Sequence, residues 1–186
     1  NIGTSKTWTI PTFLVEQLPN SVSGTCTITC TTYNGSTTVG TKSITITLKV
    51  WSELKPSVTL TVEEAVSNVA DTFGVYVKGL SKLKITANGN GVDGSTIKTY
   101  SLSANGSNYN TSTVTTGLLS ASGSMTISVT VTDSRGRKAT ASKTITVYNY
   151  SKPYIDTFTV ARCDTDGTDD DEGANAKVVI EGGVTK

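Results

Sequence analysis

The chain has 186 residues, 35% hydrophobic and 17% charged, with a formal net charge of +1. That balance gives no whole-chain reason to expect nucleic acid or an anionic membrane as a partner, and the absence of histidine removes the usual imidazole base and metal ligand. No stretch approaches the roughly 18 apolar residues of a membrane span, and no basic-then-apolar leader is present at the N-terminus. The chain begins at Asn1 rather than Met, and is expected to be a fragment or processed product.

Thr (35 residues) and Ser (21) dominate, with 17 Gly and only 4 Pro. Thr is β-branched and fits a pleated, half-exposed surface, while Ser and Gly supply turns. Residues 1–55 read as a partial or small β module. Cys26, Ile28 and Cys30 alternate with Thr, then Tyr33-Asn34-Gly35-Ser36 turns the chain, and Ile44, Ile46, Leu48 and Val50 alternate on the return. Period two is the mark of a strand with one face in a core, and Asn-Gly suits the positive φ angles of a tight hairpin. On one strand, Cys26 and Cys30 would sit roughly 13 Å apart, beyond the roughly 7 Å that a disulfide spans. With Cys163 the count is odd, which suits folding in a reducing cytosol. Cys26 and Cys30 read as small buried hydrophobes.

Residues 56–152 repeat the pattern. Ser122-Gly123-Ser124-Met125-Thr126-Ile127-Ser128-Val129 parallels Ser23-Gly24-Thr25-Cys26-Thr27-Ile28-Thr29-Cys30, and Ile145 and Val147 return as Ile46 and Leu48 do. Lys143 falls on the inward phase, which predicts a bulge or a late strand start there. Seven strands are predicted, over 57–63, 74–78, 81–87, 96–103, 109–116, 123–132 and 139–149. Turns are expected at Asn88-Gly89, Asn90-Gly91, Asp93-Gly94 and Asn105-Gly106, with at most a short helix over 63–69. Lys55-Pro56 and Lys152-Pro153 lie 97 residues apart and read as junctions, since Pro cannot continue a ladder. That spacing is the size of one immunoglobulin-like sandwich. The fold expected is all-β, built of tandem immunoglobulin-like β-sandwich modules, with residues 153–186 beginning a third, truncated one.

Trp8-Thr9-Ile10-Pro11, Leu18-Pro19-Asn20, Gly24 to Cys30, Val131-Thr132-Asp133-Ser134-Arg135-Gly136-Arg137 and Arg162-Cys163 … Asp170-Asp171-Glu172-Gly173 occur in that order. Together they resemble a family of minor structural tail proteins of siphoviruses, long-tailed phages of Gram-positive bacteria. The resemblance implies a virion location, in the tail or baseplate, and assembly in the bacterial cytoplasm with other tail proteins. It carries no enzymatic role and no functional residues.

Gly89-Asn90-Gly91-Val92-Asp93-Gly94 spells G-x-G-x-x-G, but a strand rather than a helix follows, so it reads as an ordinary Gly-rich connection. Asp164, Asp166 and Asp170 lie in a run of six carboxylates in nine residues. They are the candidate Ca²⁺ ligands, against the plain reading of a solvated acidic loop. Arg135, Arg137 and Lys138 fall on a hairpin tip and could meet teichoic acid phosphates or other cell-wall polysaccharide, against the plain reading of a solubilising turn. Trp51 and Tyr148 are expected to pack neighbouring modules together, with sugar stacking by Trp8, Trp51, Tyr148, Tyr150 and Tyr154 the competing reading. A nucleophile elbow and a His-activated nucleophile are both absent, so no catalytic residues are expected. A bacterial cell-surface adhesin repeat and a carbohydrate-binding module are the competing functions, and a homo-oligomer is compatible with the pattern.

Overall fold

A computed structural model describes residues 7–183. The outermost parts of the first and third expected modules, residues 1–6 and 184–186, lie outside the described residues. The protein is mostly β. A four-residue helix α1 (Phe13–Glu16) precedes a long hairpin of β1 (Ser23–Asn34) and β2 (Thr37–Lys49). Then come β3 (Ser57–Glu64), α2 (Ser67–Phe73), β4 (Tyr76–Val77), β5 (Leu83–Asn90), β6 (Ile97–Ala104), β7 (Ser107–Tyr109), β8 (Thr113–Thr115), β9 (Gly123–Asp133) and β10 (Lys138–Tyr148). A second hairpin, β11 (Tyr154–Cys163) with β12 (Asn175–Gly183), follows.

The central span forms two sheets, β3-β5-β8 and β4-β10-β9-β6-β7, antiparallel except where β4 runs parallel to β10. One core joins them. Val62, Leu83 and Ile85 of the first sheet meet Leu102, Ile127, Val129, Ile145 and Val147 of the second. The alternation of β9 explains its share: Ile127, Val129 and Val131 are fully buried while Thr126 and Thr130 bond across to Thr144 and Thr140 at 3.2 and 3.0 Å on the other face. Asn105-Gly106 holds φ of 49° and 74°, the positive angles of a tight turn between β6 and β7.

Several expectations are corrected here. Glu63 and Glu64 belong to β3, and the helix starts at Ser67 because the Glu64 carboxylate accepts from Val66 N–H at 3.0 Å. Asn88-Gly89 is not a turn but part of β5. Lys143 causes no bulge: it stays in register with Ile127, and its long stem carries the ammonium out to the Val62 carbonyl at 3.5 Å.

The flanking hairpins differ from the centre in cover, not in pattern. In β1–β2, Cys26 pairs Ile46 and Ile28 pairs Ile44 on one face, while the other is Thr and Ser between the Thr25–Thr47 and Thr31–Thr41 pairs, with Thr29 and Ser43 bonded at 2.9 Å. Yet Ile28 is 47% and Ile44 62% exposed, and Cys30 is exposed as well, so Cys26 and Cys30 do not lie in a closed interior. Residues 7–55 therefore form a hairpin with a short helical segment at its base, where Leu18 lies over Gly24, rather than a two-layer module. The expected third module is likewise a single hairpin over its described residues. All three cysteines are free.

Tyr76 donates to the Val62 carbonyl at 3.3 Å, and burial, with Glu64 and Glu63 nearby, raises its pKa above the ordinary 10.0. Above that ordinary value the unfolded chain releases a phenolic proton that the folded chain retains. The contribution is thus complete below pH 10 and lost as pH rises through the folded pKa. Tyr76→Phe is expected to flatten the alkaline limb of a urea-unfolding stability profile, and an unchanged limb would refute it.

Candidate functional site

The densest polar construction in the molecule lies at the β9–β10 turn. Asp133 is 2% exposed, and one of its carboxylate oxygens accepts from the backbone N–H of Arg135 at 3.0 Å and of Arg137 at 2.8 Å. That closes the turn, with Gly136 at φ 80°, and gives the two arginines a fixed base from which they reach neighbouring segments. The other oxygen of Asp133 is buried without a partner.

Arg135 is only 7% exposed. Its Nε donates to the Leu18 carbonyl at 2.9 Å and its Nη2 to Val15 at 3.1 Å, both on the segment that leads into β1. Its Nη1 donates to Val92 at 2.8 Å, and Nη2 also reaches Asp93, both in the loop between β5 and β6. One guanidinium thus ties two segments to the turn, using the rigid fork that lysine lacks. Ser134 adds a bond to the Pro19 carbonyl and accepts from Thr96 N–H at 3.1 Å. Arg137 holds the other side of the first hairpin, donating to Val50 at 2.9 Å, Leu54 at 2.6 Å and Trp51. The chain is therefore held both before β1 and after β2.

The glycine run beside this turn has a structural cause. A Cβ on Gly91 would stand 1.9 Å from the Ser95 carbonyl oxygen, and Gly94, at φ 83°, would bring one to 3.0 Å from the Glu16 carbonyl. Gly94 lets the end of α1 lie against the loop.

The sequence expectation for this turn is corrected in one respect. Arg135 is not on a solvated tip, because carbonyl groups of the neighbouring segments surround it; Arg137 is half-buried for the same reason, and Lys138 alone of the three is exposed. The turn of the first hairpin, Asn34-Gly35, carries no basic residue, and that asymmetry is the one signal in the sequence for a special role. The junction aromatics are corrected too. Trp51 is 46% and Tyr148 53% exposed, and Trp51 contributes its carbonyl rather than its ring. At the far junction Tyr150 instead meets Phe73 edge-on, with ring centroids 5.3 Å apart.

The acidic loop between β11 and β12 is built from self-contained turns. Asp166 accepts from Thr168 N–H and Asp170 from Glu172 N–H, each at 2.9 Å, while Asp169 pairs Lys177 at 3.1 Å. The Thr168 hydrogen bonds hold the Asp166 pKa below the ordinary carboxylate value. Asp164, Asp166 and Asp170 are all exposed, and among the described residues no three acidic, Cys or His side chains converge as a metal cluster.

Together these features define a β protein whose most elaborate polar site fixes one part of the chain to another. The chain belongs to the family described as siphovirus protein of unknown function (DUF859), which matches residues 1–178. A comparison with curated proteins finds no match.

Proposed function

We propose that the protein is a non-catalytic spacer of the phage tail or baseplate, made of immunoglobulin-like layers fixed end to end. The observation that carries this reading is the double arginine clamp. Arg135 and Arg137 donate to seven backbone carbonyls flanking the first hairpin and in the β5–β6 loop, an arrangement that resists bending. The strand order supports the immunoglobulin comparison: β3-β5-β8 faces β4-β10-β9-β6-β7, as one sheet of that sandwich faces the other. The shallow surface supports a non-enzymatic role. A half-open cavity of about 50 Å³ near Leu14, Leu18, Leu48 and Trp51 is lined mainly by apolar groups, without the facing carboxylates that glycoside hydrolysis needs. Host-wall contact, in this reading, falls to Lys138 and to exposed rings such as Trp8, Trp51 and Tyr154.

Gold-labelled antibody against residues 57–148 is expected to decorate the tail or its tip in purified virions. Labelling confined to the capsid, or virions free of the protein, would overturn the assignment. A glycan array with the same chain tests wall contact, and binding lost in Trp51→Ala would move the function from spacer to carbohydrate-binding module.

A further inference from the structure

The two outer hairpins repeat the strand pairings of the two layers of the central sandwich. β1–β2 repeats β9–β10 pair for pair: Gly24 faces Leu48 as Gly123 faces Val147, and Cys26 faces Ile46 as Met125 faces Ile145. β11–β12 repeats β3–β5 in the same way. Val160 faces Val178 as Val62 faces Ile85, Phe158 faces Ile180 as Leu60 faces Ala87, and Ile155 faces Gly182 as Val58 faces Gly89. The single extra residue, Asp156, is taken up by the register shift between Ile155 and Thr157, so Phe158 and Val160 keep the inward phase. In the central sandwich these layers cover each other, whereas Ile28, Ile44, Phe158, Val160, Val178 and Ile180 are uncovered at their ends of the chain, from Ile28 at 47% exposed to Ile44 and Phe158 at 62%.

We propose that the apolar face of β11–β12 in one copy covers the apolar face of β1–β2 in a second copy, completing a sandwich between chains. Side-chain size favours this pairing over two unrelated partners. β1–β2 carries Cys26 and Cys30 where β9 carries the larger Met125 and Val129, and β11–β12 carries Phe158 and Ile180 where the central layer carries the smaller Leu60 and Ala87. Small positions on one face thus meet large ones on the other, as interdigitated layers require. Charge agrees. In the central sandwich the segment after β3 returns to pair with Val147 and Tyr148, whose counterparts are Leu48 and Lys49, so the acidic loop after β11 falls beside Lys49. A copy cannot close on itself in this way, because its first hairpin is clamped at the β9–β10 turn while the second leaves from the other end of β10. Eleven residues of strand place those ends roughly 35 Å apart. Such a head-to-tail contact joins copies in series, as an open row or a ring.

The test is sedimentation velocity of the 186-residue chain over a wide concentration range, with Ile28→Lys and Val178→Lys, both at solvent-exposed positions, as variants whose folding is checked by circular dichroism. The wild type is expected to grow past the dimer with concentration, and each variant alone to remain monomeric. Mixed, they retain one intact face each and are expected to give a one-to-one dimer and nothing larger. A wild type that stays monomeric, association that survives either variant, or a mixture that stays monomeric overturns the proposal. So does a chain lengthened at either end in which flanking residues protect the Ile28 or Val178 amide without association.

Discussion

Arg135→Ala is expected to free residues 7–55 from the sandwich while the sandwich itself stays folded. The guanidinium of Arg135 serves carbonyls of Val15, Leu18, Val92 and Asp93, and removing it leaves one buried and three part-buried acceptors without that donor. Hydrogen bonds from a charged donor contribute about 1.5–3 kcal/mol each, but they share one side chain and are not additive, so the junction is expected to lose roughly 3 kcal/mol. Amide hydrogen exchange should quicken around Leu18 and Val50, leaving Leu102 and Val129 slow, and protease should cut between Val50 and Pro56. Arg135→Lys is expected to recover little, since one ammonium cannot span carbonyls on two segments. Unchanged exchange in Arg135→Ala would remove the clamp from the spacer mechanism.

The second large effect comes from comparing two isoleucines at matched positions. Ile127 is fully buried between the two sheets, and Ile28 occupies the same place in the repeated strand with 47% of its surface exposed. Ile127→Ala leaves a cavity in a closed core and is expected to destabilise the sandwich by about 2–5 kcal/mol. Ile28→Ala, at protein concentrations too low for association, is expected to cost less than about 1 kcal/mol, because the lost side chain was already largely in water. Urea unfolding of both variants decides it. Equal losses would mean that the first hairpin is covered by something beyond the layers described above.

Alternation set the long strands of the centre, and Asn105-Gly106 there and Asn34-Gly35 in the first hairpin set turns, because period and backbone sterics act within a few residues. The glycine run is a connection only from Gly91 to Gly94, since Gly89 and Asn90 belong to β5, and the need for Gly94 against Glu16 comes from a contact 78 positions away in the chain. The acidic residues were placed correctly on a loop between two strands, but their carboxylates engage local backbone rather than one another.

The all-β class was legible from local pattern, since alternation and turn chemistry act within a few residues, and the phage family from the resemblance of the ordered motifs. Whether a strand's apolar face is covered was not legible: Thr27-Ile28-Thr29 and Thr126-Ile127-Ser128 read alike, and only the presence of a second sheet makes one of them core. The role of Arg135 was decided the same way. A guanidinium on a turn is solvated or structural according to which distant carbonyls the fold brings to it, and here residues 15–18, 92–93 and 135 meet only once the chain is folded.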